Sequence, residues 1–370
     1  RLPTVAVLIG PNASGKTTLL RALVNVFQIA SAGLGDDQPL RKVVPFLSDE
    51  TRHEPTRFCL EMEADWLDDG QPAVFRYVLE VARGESEEAD ARELEQLLLR
   101  PATISHEALH HFPRGRPRRL LERKHSQSGV YVAPELGIRP GDDRLKAVRA
   151  DTSVIATLDP LNVPFASRVA EQFRGYLRAV SPTLDSTGKL HADELAIALD
   201  AADGLRQRVR NELRCSDLGI LDLEVRDGPG KGVAFWFRHE GIDGWLPLGL
   251  ESSGTQRLFR LLPQVGLALD EVGLAVLDDL DGDLHVDIAG EIARWFRSPE
   301  RNPRNAQLLA TSHNVGLLDD LEKEEVFVVE KDHSGATRVH GAQDVTGLRR
   351  DARLYAKYRS GALGGVPRFG

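Results

Sequence analysis

One short stretch near the start of the chain restricts what the chain can fold into. Five apolar residues, Val5–Ile9, are followed by the pattern G-x-x-x-x-G-K-[ST] and then by apolar residues at helical spacing. A buried strand, a glycine-rich loop and a helix in this order place main-chain N–H groups around a phosphate. The sequence therefore predicts a nucleotide site with these contact residues: Gly10, Asn12, Ala13, Ser14, Gly15, Lys16, Thr17 and Thr18.

Two residues of this loop have separate expected tasks. Lys16 is expected to reach the β- and γ-phosphates of ATP and so to take part in catalysis, and Thr17 to hold Mg²⁺. The alternative is an ordinary glycine-rich turn. That alternative does not account for a Lys-Thr pair that opens a helix.

Composition limits the class of protein further. The chain has 370 residues and a net charge of −9, so contact with nucleic acid has to come from a local patch. The sequence contains no run of about 18 apolar residues, so it predicts no membrane span. The two cysteines, Cys59 and Cys215, lack metal-ligand spacing, and so few cysteines are typical of a reducing cytoplasm, where we expect the protein.

The pattern of apolar residues changes along the chain and predicts four segments. Alternation at period two, with one helix over 85–99, predicts an inserted antiparallel β lobe in the second segment. Helical spacing over 165–180 and 193–213 predicts a helical hairpin or arm in the third. The segments are residues 1–54, 55–144, 145–215 and 216–370.

The last segment returns to alternating strands and helices. Strands are predicted at Leu274–Leu277, Gln307–Thr311 and Val326–Val329, and helices at Ser253–Leu269 and Val286–Phe296. Such alternation predicts an α/β fold with a mostly parallel sheet. We expect the first and last segments to share that sheet, with the middle two as insertions.

Three later motifs are expected to complete the site. Asp278 and Asp279 follow the apolar strand Leu274–Leu277, which predicts a carboxylate for Mg²⁺ and then one for the attacking water. His313 follows another buried strand and is expected to contact the γ-phosphate. A run of small residues at a helix start predicts an N-cap at Ser252 or Ser253, a γ-phosphate contact, or both, and the expected contact residues are Ser253, Gly254 and Gln256.

The order of these motifs resembles the ATP-binding cassette heads of the SMC, RecF and OLD kind. It is most similar to the AAA-domain ATPases of abortive-infection and other antiphage operons. The resemblance covers most of the chain. Its motifs are GPNASGKTTLL (10–20), ESSGTQRLF (251–259), LDGDLH (280–285), VVEKD (328–332) and the tail YRSGALGGVP (358–367).

The resemblance implies a homodimer that holds ATP between the phosphate loop of one subunit and the signature residues of the other. Ser253, Gly254 and Gln256 would then serve the ATP of the partner, and Asp281 would lie at the interface. Asp279 stands where the family has Glu, which implies slow hydrolysis. The glutamine loop of such families is not assigned, because Gln28 falls within the first helix.

Two further patterns carry competing hypotheses. His106–His110 matches H-E-x-x-H, but its surroundings predict a strand, on which the two histidines lie too far apart for one zinc ion. The basic tract predicts either a solvated loop and edge strand or a contact for nucleic acid or an acidic partner. Its residues are Arg114, Arg116, Arg118, Arg119, Arg123 and Lys124.

The sequence leaves two functions open. The first is an ATPase that senses or regulates in antiphage defence. About 40 residues follow Glu330, too few for a Toprim nuclease, so a nuclease or toxin effector would be a separate chain. The second is an ATP-gated DNA clamp of the RecF or SMC type. An ABC-transporter head is disfavoured by the inserted sheet and the helical arm.

Overall fold

The structure is a computed structural model of the chain, which divides into two compact units, Arg1–Arg21 with Tyr176–Gly370, and Ala22–Gly175. The residues described are 3–31, 39–46, 48, 51, 54–55, 56–67, 70, 72–83, 100–124, 129–181, 184, 199, 203–216, 219–227, 233–270, 272–349 and 352–366. Within them, no helix combines the length and the apolar character needed to cross a membrane.

The elements are numbered in chain order. The strands are β1 (Val5–Ile9), β2 (Thr56–Ala64), β3 (Ala73–Arg83), β4 (Ala102–Phe112), β5 (Arg118–Lys124), β6 (Val130–Val132), β7 (Leu177–Val180), β8 (Ile220–Asp227), β9 (Val233–His239), β10 (Leu246–Pro247), β11 (Leu274–Leu277), β12 (Gln307–Thr311), β13 (Val326–Lys331) and β14 (Thr337–Gly341). The helices are α1 (Lys16–Ser31), α2 (Val154–Leu158), α3 (Pro164–Tyr176), α4 (Asp203–Cys215), α5 (Ser253–Asp270), α6 (Val286–Arg297) and α7 (Leu354–Arg359).

The larger unit contains a six-stranded sheet in the order β14-β13-β1-β12-β11-β7. Every neighbouring pair is parallel except β13 and β14. The central strands are rich in Val, Leu, Ile and Ala, as is typical of parallel strands covered on both faces. The predicted α/β fold with one mostly parallel sheet is confirmed, and the loops after β1, β11 and β12 lie at the edge where ligands bind in such sheets.

A separate three-stranded sheet, β10-β9-β8, packs on α5 in the same unit. Phe259 of α5 is fully buried, and its ring centroid lies 4.8 Å from that of Phe235 and 5.1 Å from that of Phe237. Aromatic pairs at these distances add to the free energy of burial. The contacts hold α5 in place, and α5 carries the residues of the signature motif at its start.

The smaller unit is built on the antiparallel sheet β2-β3-β4-β5-β6. Buried aromatic residues gather around Phe173 of α3, whose ring centroid lies 5.5 Å from Trp66 and 5.7 Å from Tyr77. The predicted antiparallel lobe is therefore confirmed. The helix predicted over 85–99 lies outside the described residues.

One predicted helix is wrong in its last part. The helix expected over 165–180 ends at Tyr176, and Leu177–Val180 form β7, which pairs in parallel with β11. Apolar residues at helical spacing cannot exclude a strand of four residues that completes a distant sheet. The described residues of the third segment include α2, α3, β7 and α4, and the helical hairpin or arm and the division into four domains stay predictions.

Candidate nucleotide-binding site

The loop between β1 and α1 depends on two glycines with unusual main-chain angles. Gly10 has a φ of +151° and Gly15 a φ of +106°. A Cβ atom would lie 2.0 Å from the Val329 carbonyl oxygen if placed on Gly10, and 2.3 Å from Thr337 Oγ1 if placed on Gly15. The loop can lie this close to β13 and β14 only because neither position carries a side chain.

The ammonium group of Lys16 is folded back onto this loop. Its Nζ donates to the carbonyl oxygens of Gly10 at 2.8 Å and Pro11 at 3.0 Å. Burial lowers the pKa of Lys16, and the carboxylates that follow β11 act in the opposite direction. A buried ammonium group can exchange its hydrogen bonds to these carbonyl oxygens for stronger ones to a negatively charged phosphate.

The remaining loop residues differ in exposure. Asn12, Ala13 and Thr18 are exposed, whereas Ser14 is buried. The Ser14 hydroxyl has no hydrogen-bond partner among the described atoms. Because an unpaired buried hydroxyl is costly, a phosphate oxygen that accepted its proton would be favoured there. The loop therefore fits a bound nucleotide.

The two predicted metal ligands are in contact. Thr17 Oγ1 donates to the carboxylate of Asp278 and lies 3.0 Å from each of its oxygens. The Asp278 main-chain N–H donates to Ser181 Oγ at 2.8 Å, and Thr311 Oγ1 donates to Asp278 Oδ1 at 2.7 Å. Hydroxyl and carboxylate oxygens are ligands that Mg²⁺ accepts, so this pair fits the ion.

Asp279 lies in a tight turn directly after Asp278. Its φ is +55°, an angle that residues other than glycine seldom adopt. Its main-chain N–H donates to Thr311 Oγ1 at 2.7 Å, and its carbonyl accepts from Gly282 N at 2.9 Å. A Cβ on Gly282 would lie 2.4 Å from Asp279 Oδ2, so the absence of a side chain at Gly282 leaves room for this carboxylate.

An arginine that the sequence analysis did not single out supports this turn. Arg257 of α5 donates through Nη2 to the carbonyl of Asp279, and this Nη2 lies 3.4 Å from the carbonyl oxygen of Asp278. Arg257 stands inside the ESSGTQRLF motif, but a single sequence does not show what it contacts. The same holds for Ser181 and Thr311, whose hydroxyls meet Asp278 only in the folded chain.

His313 is exposed at the end of β12, beside the acidic turn. Asp281 holds the loop around it, because its carboxylate accepts the main-chain N–H of His313 at 3.2 Å and that of Asn314 at 2.8 Å. The side chain of Asn314 in turn accepts from Gly316 N at 2.9 Å. The structure thus brings His313 next to the turn that carries Asp279, and shows a contact for Asp281 within its own chain.

The signature residues form the start of α5. Ser252 acts as the N-cap, because its Oγ accepts from Thr255 N at 3.1 Å, while Ser253 is exposed. Gln256 Nε2 donates to the carbonyl of Glu251 at 3.0 Å. A Cβ on Gly254 would lie 2.8 Å from the Asp283 carbonyl oxygen. No described hydrogen bond joins these residues to the phosphate loop.

A family profile described as "AAA domain, putative AbiEii toxin, Type IV TA system" matches residues 5–319. The chain belongs to this family. The match begins at β1 and includes the phosphate loop, the signature residues, the acids after β11 and His313. No curated protein sequence matches this AAA domain.

Solved structures of SMC heads are similar to this AAA domain. The SMC head domain from Thermotoga maritima has 16% identity and a TM-score of 0.39, with 91% of this chain and 89% of that one covered. An SMC head bound to the C-winged helix domain of ScpA has 12% identity and a TM-score of 0.41, with 91% and 90% covered. The SMC head with an extended coiled coil from Pyrococcus furiosus has 11% identity and a TM-score of 0.39, with 91% and 89% covered.

The basic tract of the AAA domain is largely paired with carboxylates. Arg119 and Lys124 pair with Glu122, and Arg118 pairs with Glu135. Arg123 is buried and donates to the Arg149 carbonyl at 2.8 Å, with its Nη2 3.3 Å from Glu107. The side chain of Arg114 lies outside the described part, and Arg116 is exposed. These ion pairs favour a structural role over a contact for nucleic acid, but the predicted edge strand is wrong, because β5 lies between β4 and β6 in its sheet.

The H-E-x-x-H pattern lies on β4, as predicted. Glu107 is fully buried and accepts hydrogen bonds from Tyr77 Oη at 2.9 Å and Ser153 Oγ at 2.8 Å. The neighbouring His106 contacts a different carboxylate, with its Nε2 atom 3.3 Å from Glu122 Oε1. A buried carboxylate with these partners serves the core of the smaller unit. The described residues hold no group of three or more metal-binding side chains.

Proposed function

We propose that this AAA domain binds ATP with Mg²⁺ and hydrolyses it slowly, and that two copies close around the nucleotide. The observation that carries the proposal is the contact of Thr17 with Asp278. Thr17 directly follows the buried Lys16, and Asp278 directly precedes Asp279. A metal-binding hydroxyl and carboxylate, a second acid and a phosphate-binding lysine are the parts that phosphoryl transfer to water needs.

Each residue has a task that its position supports. Thr17 and Asp278 would hold Mg²⁺, which neutralises charge on the phosphates. Lys16 would exchange its bonds to the carbonyl oxygens of Gly10 and Pro11 for phosphate oxygens. Asp279 would orient the attacking water and accept its proton. Because Asp is one methylene shorter than Glu, we expect the Asp279 carboxylate to lie farther from the attacking water than a Glu carboxylate would. We therefore expect a low turnover number.

The proposed dimer rests on the signature residues. Ser252 already serves as the cap of α5, so the exposed Ser253 is left for another ligand. Ser253, Gly254 and the helix N-terminus would contact the ATP held by the partner subunit. Gln256 would hold the loop before α5 through the Glu251 carbonyl.

We further propose that the dimer regulates a separate nuclease or toxin chain in antiphage defence in the cytoplasm. The family description, which names a putative toxin of a type IV toxin–antitoxin system, supports a role in such operons. Slow hydrolysis would keep the ATP-bound state long enough to act as a signal. A DNA clamp has less support, because Arg118, Arg119 and Lys124 are paired with carboxylates.

The test combines turnover with solution mass. ATP hydrolysis is measured for the wild type, Lys16→Ala, Asp279→Asn and, as a control, the exposed Asp319→Asn. We expect a loss of about 100-fold or more in the first two variants and no change in the control. Light scattering should show a dimer of Asp279→Asn with ATP. Equal rates in all four proteins, or a monomer under every condition, would refute the proposal.

A further inference from the structure

One side chain contacts both acids of the turn after β11. Thr311 is 1% exposed, and its Oγ1 accepts the main-chain N–H of Asp279 at 2.7 Å. The same Oγ1 donates to Asp278 Oδ1 at 2.7 Å. The direction of both bonds is set by chemistry, because an N–H can only donate and an ionised carboxylate can only accept.

These bonds act on the parts of the two acids that matter for the proposed chemistry. The bond to Asp278 Oδ1 determines the rotation of the carboxylate that also meets Thr17. The bond from Asp279 N stabilises a turn whose φ of +55° disfavours most side chains. A third bond, from Leu280 N to the Thr311 carbonyl at 2.9 Å, extends the attachment along the turn.

The order of the strands around β11 explains why Thr311 contacts both Asp278 and Asp279. Asp278 and Asp279 follow β11, whose neighbour β12 ends at Thr311. On the other side, Ser181 follows β7 and accepts the Asp278 N–H at 2.8 Å. Both contacts of Ser181 Oγ are with the main chain of Asp278, since this Oγ also lies 3.4 Å from the Asp278 carbonyl oxygen. Of the two flanking hydroxyls, Thr311 is the one that orients the carboxylate.

We propose that Thr311 is a positioning residue that orients Asp278 toward Mg²⁺ and holds Asp279 in the turn that presents its carboxylate. The inference rests on the proposed function, because it concerns the same metal and the same water. Thr311 itself contacts neither. Its hydroxyl belongs to the group of outer contacts that orient a metal-binding carboxylate, whose removal costs about 10–100-fold in metal affinity or activity.

The test measures binding of a non-hydrolysable ATP analogue by calorimetry, with Mg²⁺ and with a chelator, so that it does not depend on turnover. Thr311→Val has the shape of threonine without the hydroxyl. We expect it to weaken the analogue about tenfold or more with Mg²⁺ and not with the chelator. Thr311→Ser restores the hydroxyl and should bind within about twofold of the wild type.

A matched control is available in the smaller unit. Thr157 is also 1% exposed, and its Oγ1 donates to the Ser153 carbonyl at 2.8 Å, so Thr157→Val loses a buried hydroxyl away from the site. We expect its Mg²⁺-dependent binding to equal that of the wild type. Thr311→Ala is a second variant that removes the hydroxyl, in case Thr311→Val does not fold.

The outcomes distinguish failure of the proposed function from failure of the role assigned to Thr311. If the wild type binds no analogue with Mg²⁺, the proposed function and this inference both fail. If the wild type binds and the Val and Ala variants bind equally well with Mg²⁺, only the role of Thr311 is refuted. An equal loss with Mg²⁺ and with chelator would also refute it, because the effect would then concern the fold rather than the metal.

Discussion

Arg257 on α5 donates to the main-chain carbonyl of Asp279, the acid that follows β11. This bond connects the helix that begins with the signature residues to the turn that presents the proposed water-orienting carboxylate. Both ends lie in the larger unit, and the Arg257 side chain is partly buried. In the proposed dimer, a shift of α5 on contact of Ser253 with the second subunit would therefore change the position of Asp279.

The first prediction concerns this arginine. Arg257→Gln should lower kcat about tenfold with little change in KM for ATP, because the turn is held less firmly while the phosphate loop is intact. The control is Arg260→Gln on the same helix, whose exposed side chain donates through Nη2 to Gln256 Oε1 at 3.3 Å. Steady-state kinetics measure both constants. A kcat for Arg257→Gln equal to that of the control contradicts the assignment.

The second prediction concerns the contact of Asp281 with the His313 loop. Asp281→Ala removes the carboxylate that accepts the N–H groups of His313 and Asn314 and leaves Asn314 N only Ser312 Oγ, so the main chain that carries His313 is held less firmly. If Asp281 acts through His313, the double variant with His313→Ala should lose no more activity than His313→Ala alone. A double-mutant cycle on kcat measures this coupling. Additive losses would instead favour a contact of Asp281 with the partner subunit.

The third prediction concerns the stability of the phosphate loop. Gly10→Ala should lower the free energy of unfolding by about 3 kcal/mol or more, because the new Cβ would meet the Val329 carbonyl at 2.0 Å. Gly335→Ala is the control, since Gly335 also has positive φ, +81°, but nothing lies within 4 Å of its added Cβ. We expect the control to lose about 1 kcal/mol. Urea unfolding distinguishes the two, and equal losses would contradict the close approach.

The fourth prediction concerns alkaline pH and the smaller unit. Burial raises the pKa of Tyr77 well above its ordinary value of 10.0, and the carboxylate of Glu107 raises it further. Because the folded chain then holds a proton that the unfolded chain loses, stability present below about pH 10 is lost as the pH rises above it. The loss should total about 1.4 kcal/mol between pH 9 and 11 and should approach about 1.4 kcal/mol for each further pH unit.

Urea unfolding between pH 9 and 11 tests this dependence on the wild type and Tyr77→Phe. The Phe variant should be less stable at pH 9, where Glu107 lacks the hydroxyl, and should lose less stability on going to pH 11. Tyr131→Phe, at an exposed tyrosine, is the control and should follow the wild type. Parallel curves for the wild type and Tyr77→Phe would contradict the prediction.

The elements of the larger unit were predictable where a local pattern was strong. Leu274–Leu277 and Gln307–Thr311 are strands with the predicted bounds, and α5 begins at the predicted Ser253. The two strands are short apolar runs that follow Gly273 and the Asn302–Asn305 turn, and the helix is a long amphipathic segment. The spacing predicts a helix at Leu177–Val180, where the structure has β7, because a strand of four residues has no period that separates it from the end of a helix.

The sequence by itself determined the phosphate loop and the chemical types around it. The strand, loop and helix from Val5 to Ser31 are contiguous, so residue order and glycine positions were sufficient. Only the tertiary structure decided that Thr17 meets Asp278, 261 positions away, and that Arg257, Ser181 and Thr311 hold the acidic turn. These contacts arise from the order of strands in the sheet, which brings distant segments to one edge and leaves no trace in the local spacing of residues.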